Sequence, residues 1–496
     1  MNILSQRISL KEKVGYSLGD ASANLIFQMM MMFQLFFYTE VFGIKASIAG
    51  FILLFARFFD AFVDPVVGIL SDRTNSRWGK YRPWLLWTAL PFAIFFVLAF
   101  TTPDISERGK IIYAGVTYTL LMTIYSFNNT PYSSLGGVMT NDIKERTSIS
   151  TIRFITATIA TFVVQGLTLP LVTRFGGSST SAKGWVTTIA LFAVVGIVLM
   201  VITFFSTKER ITPPQGQKTS IRQDIRDVIF CKPWIAMFVL TFFLFITLSM
   251  WSSSMSYYFD NVVDKTALFN FLGKVGLVST DGIVVGTFPS LLHAFGLIAM
   301  PDLSNVYAVG FSLFNMVGQL ITLLGVILLS RFLAGIFGKK SVFIVCLSLT
   351  ALITALFYVV PSTNVSVVFL LNIARNLAYA PTIPLLWAMM GDVADYSEWK
   401  NRRRATGMVF AGIVFALKAG LGVGGALLGG IIQSFGYVPN SIQTDLALTG
   451  LRLTSSLLPA GLYLIGVVAL CFYPITKKYN QKIQLELNER REQVIE

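Results

Sequence analysis

Asp60 and Asp64 stand four residues apart within a long, largely apolar stretch from Phe51 to Gly68. A carboxylate at the centre of a membrane helix costs about 2.5–3.5 kcal/mol on insertion scales, so a pair in one helix calls for a functional explanation. The i, i+4 spacing puts both on one helix face, about one turn apart. Such a pair can hold a cation between oxygen-bearing groups or store a proton on one carboxyl. Lys418 is the basic counterpart, deep within the apolar run that starts at Gly407. A lysine near a helix end can snorkel to water, but one in mid-span needs a cavity or a partner. Arg57, Arg153 and Arg375 also lie within apolar stretches, Arg153 nearer an end.

The elements that position these groups follow from composition. The chain has 496 residues, 54% of them hydrophobic and 13% charged. A soluble domain carries about 25% charged residues. Apolar runs of about 20 residues recur along the whole length, which marks an all-α, polytopic membrane protein. Met1 to Lys13 is polar and basic and reads as a retained N-terminus, not a cleaved signal. Cys231, Cys346 and Cys471 are isolated and read as buried thiols. With one histidine, His293, and no cysteine cluster, a transition-metal site is not expected. There is no nucleophile–base pair, metal motif or phosphate loop, so an enzyme is not expected either.

Twelve spans are read near 16–40, 46–71, 82–101, 110–139, 149–173, 185–206, 233–258, 305–330, 341–360, 365–390, 404–432 and 451–474. An even number of spans puts both termini on one side. The net charge of +14 could point to nucleic acid, but the basic residues are sorted by side. Of 39 Lys and Arg, 27 fall in the terminal segments and the connections at 72–82, 142–146, 207–232, 331–340 and 400–404, against 8 on the other side. By the positive-inside rule the basic side is cytoplasmic, and no nucleic-acid partner is expected. The chain then divides into an N-terminal six-helix bundle (1–206), a cytoplasmic middle loop (207–232), a C-terminal six-helix bundle (233–474) and a cytoplasmic tail (475–496). Ile221, Ile225, Val228 and Ile229 recur at helical spacing in the middle loop and predict a surface helix. An insertion at 260–304 on the outer side holds a semi-apolar piece, Gly282 to Met300, too interrupted by proline to span.

Four signatures follow one another at matching spans. They are Gly15-Tyr-Ser-Leu-Gly19-Asp20-Ala-Ser-Ala-Asn24; Phe59-Asp60-Ala-Phe-Val-Asp64-Pro65 with Asp72-Arg73 and Arg77-Trp-Gly-Lys-Tyr-Arg82-Pro83-Trp84; Asn129-Thr-Pro131-Tyr132-Ser-Ser-Leu135; and Gly391-Asp392-Val-Ala-Asp395-Tyr396-Ser-Glu398-Trp399-Lys400. With them the chain resembles the glycoside–pentoside–hexuronide:cation symporters, a branch of the major facilitator superfamily that includes the melibiose carrier. The resemblance covers nearly the whole chain apart from 260–304 and the tail. It implies two six-helix bundles that rock around a central site in a bacterial-type inner membrane. It also implies sugar or glycoside uptake coupled to a proton or sodium, without any cofactor.

The resemblance places the cation site at Asp60 and Asp64, with polar groups at the positions of Val63 and Ser126. The melibiose carrier has an amide where Val63 stands. Sodium wants about six oxygen ligands by analogy with other hard cations, so losing one favours a proton over the sodium alternative. Asn24 and Asn129 match aspartates of that carrier, while Arg153 and Lys418 match basic positions of its binding site. Amides there leave a less acidic cavity, suited to a hexuronide or a neutral pentoside, and they bind hydroxyls in either sense. Tyr125, Tyr132 and Trp387 are the aromatic candidates for covering the C–H faces of a sugar. Ser133 and Ile383 stand where that carrier has tryptophans, so the resemblance does not extend to the identity of the sugar.

Charges at the cytoplasmic helix ends read as gates: Asp72, Arg73, Asp142, Arg146, Asp395, Glu398 and Arg402 to Arg404. Pairs formed and broken among them would select between the two facing states. Gly425-xxx-Gly429 allows close helix approach, and Pro131, Pro381 and Pro384 bend spans 4 and 10. The expected partners are a small sugar or glycoside and membrane lipids, and a monomer should suffice. Two rivals remain open: an amphiphile or organic-anion carrier of the same fold, and a sugar sensor without transport. The sensor would have no use for coupling carboxylates.

Overall fold

The computed structural model describes residues 8–140, 142–210, 228–279, 287–401 and 406–493. The predicted surface helix of the middle loop lies mostly outside these residues, as do Arg402 to Arg404. The described chain is helical, with a lone bridge between Val278 and Ala299 in place of any strand. Its first half holds α1 (Leu10–Met32), α2 (Ala46–Arg73), α3 (Arg82–Ala99), α4 (Glu107–Met139), α5 (Ile143–Gly176) and α6 (Ala182–Ser206). Helix α1 continues after a bend of 53° at Phe33 into Gln34–Val41, whose last turns are π-helical. The second half holds α7 (Lys232–Asn261), α8 (Lys265–Lys274), α9 (Thr287–Ala294), α10 (Val306–Phe337), α11 (Lys339–Leu356), α12 (Val365–Tyr379), α13 (Thr382–Asn401), α14 (Thr406–Ser434), α15 (Asp445–Thr454), α16 (Leu457–Cys471) and α17 (Lys477–Gln493).

Twelve spans result, with α12–α13 and α15–α16 each forming one broken span. Among the described residues eight of these helices are by themselves long and apolar enough to cross a bilayer, α15 and α16 together make a ninth, and the bent first span makes ten. The other two have local causes. Helix α4 carries Ser126, Asn128, Asn129 and several threonines, and span 10 breaks at Ala380-Pro381, because proline lacks the N–H a helix needs. In the insertion, α8 and α9 have 10 and 8 residues, far short of the roughly 20 that a span requires.

The helix starts are written locally. Ser9, Ser106, Ser181 and Asp264 each accept a backbone N–H of the first turn that would otherwise go unmet. By contacts the chain forms two compact units, one of Met1–Gln215, Met255–Met316 and Gly425–Leu448, the other of Gly216–Ser254, Val317–Gly424 and Thr449–Glu496. In the first, α1 packs on α5 and α6, α2 on α4, and α3 on α4 and α6. Its aromatic centre is the fully buried Trp185, stacked on Phe100 at 5.8 Å and met edge-on by Phe33 and Phe37. On the basic side Glu209 accepts the backbone N–H groups of Lys80, Tyr81 and Arg82 at 2.8–3.0 Å, holding the start of α3. Glu12 takes Arg210 in a two-pronged pair at 2.6 and 2.7 Å.

In the second unit α11 packs on α12 and α16 around Phe343, Leu347, Met389, Val393, Tyr463 and Leu470. Gly420 and Gly424 let α14 meet α7: a Cβ at either would stand 2.5 Å from a carbonyl oxygen of α7. The tail differs from the sequence reading, which saw only a cytoplasmic extension. It is the helix α17, laid against α13 with Ile483 and Leu487 buried. Their i, i+4 spacing in a strongly polar segment is the signal that would have shown it.

Candidate functional site

Helix α2 carries Asp60 and Asp64, and α4 presents Ser126 to both. The Ser126 hydroxyl bonds to Asp60 Oδ1 and to Asp64 Oδ1, the latter at 2.6 Å. Asp60 is fully buried and Asp64 half-buried. A hydroxyl has one hydrogen, and an ionised carboxylate only accepts. Two ionised carboxylates therefore cannot both be satisfied by Ser126. Two prolines add acceptors: Pro65 leaves the carbonyl of Ala61 without its helical donor, and Pro131 does the same for Phe127. Val63, half-buried in the same turn, adds no side-chain oxygen. Arg57 is 4% exposed and lies over the Phe27 ring at 5.4 Å.

A second cluster joins α1, α4 and α5. Arg153 Nη2 pairs with Asp20 Oδ1 at 3.3 Å, and its guanidinium lies over Tyr132 at 5.3 Å and Tyr16 at 5.9 Å. Tyr16 and Tyr132 stack at 4.7 Å, each hydroxyl donating to the other residue's carbonyl oxygen, at 3.1 and 2.9 Å. Both rings are buried, and the Tyr132 ring carries the Arg153 guanidinium. Asn24 lies one turn from Asp20 and donates to its carbonyl oxygen at 2.9 Å. Asn129, half-buried on α4 one turn beyond Ser126, makes no hydrogen bond among the described residues. Tyr125 packs between Phe27 and Phe92 at 5.9 and 6.0 Å. Asp20 was not singled out from the sequence, because one acid at the end of a helical turn carries no signal without its partner.

Lys418, half-buried at the middle of α14, and Trp387, 46% exposed on α13, belong to the second unit. Asp72 accepts from the Tyr81 hydroxyl at 2.7 Å. Burial and the neighbouring Asp72 raise that hydroxyl above its ordinary range, so it stays a donor. Arg146 donates to the carbonyls of Thr140 and Gly137 at 2.8 and 3.0 Å, closing the end of α4. Asp395 accepts from Gln484 of α17 at 2.7 Å. Arg73 is exposed at the end of α2, Asp142 caps Glu145 N at 3.4 Å, and Glu398 is half-buried on α13. At this end of the second unit Lys339 pairs with Asp392 at 2.7 Å, a pair the sequence reading did not select.

The sequence model of the family described as MFS/sugar transport protein matches residues 15–300 and 305–477. The chain belongs to this family. Within it the chain is a glycoside–pentoside–hexuronide:cation symporter of the major facilitator superfamily, an integral inner-membrane transporter and not an enzyme. It is 35% identical to the inner membrane symporter YicJ of Escherichia coli K12, over 97% of this chain and 95% of that one. It is 34% identical to the putative glycoside/cation symporter YagG of the same organism, over 98% and 96%. It is 31% identical to the isoprimeverose transporter of Lactiplantibacillus pentosus, over 97% and 92%. Among solved structures, a bacterial homologue of the human drug peptide transporters PepT1 and PepT2 matches with a TM-score of 0.61 at 14% identity, covering 94% of this chain and 98% of that one. That likeness shows the shared fold alone.

Proposed function

We propose that this symporter imports a neutral glycoside or pentoside together with a proton, by alternating access, with both termini in the cytoplasm. Its relatives' names support sugar–cation symport. The observation that carries the proton is Ser126, whose one hydroxyl hydrogen stands between two carboxylates. In the mechanism, one proton held among Asp60, Asp64 and Ser126 removes a negative charge from a buried site. The loaded site reorients more easily than the charged one, because an unneutralised carboxylate in the bilayer is costly. Sugar and proton bind with reciprocal coupling: whatever factor the proton adds to sugar affinity, the sugar adds to proton affinity. Asn24 and Asn129 meet hydroxyl groups in either sense, and Lys418 supplies positive charge from the second half. Asp20 neutralises Arg153, which favours a neutral sugar over an anionic one.

Uptake of neutral glycosides, pentosides and hexuronides into proteoliposomes, under a proton gradient and a sodium gradient imposed separately, tests this reading. Accumulation under the proton gradient alone, lost in Asp60→Asn, supports it. Accumulation only with sodium keeps the symporter and overturns the proton. No accumulation under either gradient overturns sugar symport.

A further inference from the structure

Glu40 is a charged side chain, 5% exposed, in the π-helical end of the first span, and the coupling site makes no use of it. Beside the neighbouring Thr39 hydroxyl, its partners come from about 400 residues further along. Its Oε1 accepts from the Tyr437 hydroxyl at 2.8 Å and its Oε2 from the Asn440 backbone N–H at 3.0 Å, while its carbonyl oxygen accepts from the Asn440 amide at 2.8 Å. Asn440 supplies both groups from a left-handed backbone, φ 54°, a conformation asparagine tolerates. Around this hub the first stretch meets the second half of the chain at further points. The Thr39 and Tyr257 hydroxyls are 2.7 Å apart, and Ser47 N donates to Gln433 Oε1 at 2.7 Å. Gly429 lies so close to α2 that a Cβ there would stand 2.2 Å from the Ala46 carbonyl oxygen. Beside the hub is a polar cavity of about 500 Å³ lined by Glu40, Asp260, Lys265, Asn440 and Gln443 among others. All of this lies opposite the basic connections, at the outer side in the proposed orientation.

We propose that Glu40 is the latch of the outer gate, the residue that sets how often the transport site opens to the outside. This rests on the alternating-access reading above. A carboxylate removed from water must have its oxygens met, and here Tyr437 and Asn440 meet them, with the Thr39 hydroxyl beside them. When the two stretches part, water replaces both partners. The latch is therefore worth only the difference between protein and water hydrogen bonds, enough to bias a gate and small enough to let it open. Burial, then the charge of Glu40, pushes the Tyr437 hydroxyl above its ordinary value of 10.0, so the donor persists across the working pH range. Removing the carboxylate leaves two donors buried and unmet in the closed gate alone, since the open gate exposes them to water. Loss of Glu40 should thus favour the open gate.

The test uses the full chain in proteoliposomes, with Cys231, Cys346 and Cys471 replaced by alanine and spin labels on Ser178→Cys and Ile442→Cys across the cavity. Pulsed electron–electron resonance reads the distance distribution without added sugar or cation gradient. Glu40→Ala should raise the long-distance population roughly tenfold, the scale of a lost hydrogen bond to a charged group. Tyr437→Phe should shift it the same way by less. Distributions that superimpose on the unsubstituted protein in both variants overturn the latch. If Glu40→Ala does not fold, Tyr437→Phe decides alone by the same criterion. Absence of sugar uptake by the unsubstituted protein would count against the symport reading, whereas intact uptake with unmoved distances would remove the latch alone.

Discussion

The guanidinium of Arg153 is paired with Asp20 across 133 positions of sequence and 3.3 Å of space, while lying over the Tyr16–Tyr132 stack. The one strongly basic group that the first half offers to the candidate sugar site is thus already neutralised. An anionic sugar would have to displace Asp20 before it gained anything from Arg153. Asp20→Asn should therefore improve the KM for hexuronides relative to neutral pentosides by about tenfold, the scale of one charge-assisted hydrogen bond. Competition uptake in proteoliposomes measures the ratio. An unchanged ratio with retained transport would show that Arg153 does not touch the sugar.

Ser126→Ala removes the hydroxyl that two carboxylates share. Sugar uptake should survive but its dependence on the proton gradient should weaken, with the half-maximal proton concentration rising about tenfold. Ser126→Thr keeps the hydroxyl and should restore coupling. Paired uptake curves at varied external pH decide this, and identical curves for alanine and serine would remove Ser126 from the proton site.

Arg375, 4% exposed, has no carboxylate partner among the described residues. It donates to Thr354 Oγ1 at 3.1 Å and to the Tyr463 hydroxyl at 3.0 Å, and its guanidinium lies 3.9 Å from the centre of the Trp251 ring. A planar fork suits these three contacts and an ammonium does not. Arg375→Lys should cost about 1–3 kcal/mol of stability. A thermal denaturation midpoint in detergent within one degree of the parent would contradict this.

The tail helix α17 should be structural as well. Trp399 Nε1 donates to Glu486 at 2.6 Å, Asn480 donates to Asp392 at 3.1 Å, and Ile483 is fully buried. Ile483→Ala should cost about 2–4 kcal/mol as a core truncation, and removing residues 477–496 should cost more. Thermal denaturation of both variants provides the check. Equal midpoints for parent and truncation would mean that α17 does not hold the α13 end.

Much of this protein is legible along the chain itself. Helical period and apolar length mark the spans, because burying backbone polar groups in lipid leaves few options to an apolar stretch of this length. The i, i+4 aspartates and the side-sorted basic residues are equally local, since both depend only on position along a helix. What tertiary structure alone decided are the partners. Ser126 meets Asp60 and Asp64 because α4 packs on α2. Asp20 finds Arg153, Glu40 finds Tyr437 and Asn440, and Asp395 finds Gln484 of the tail. Helical period says which face a side chain occupies, but the residue it meets depends on how distant helices pack. A buried charge is stabilised or penalised by that meeting, and so the surroundings of these residues are set in space and not along the chain.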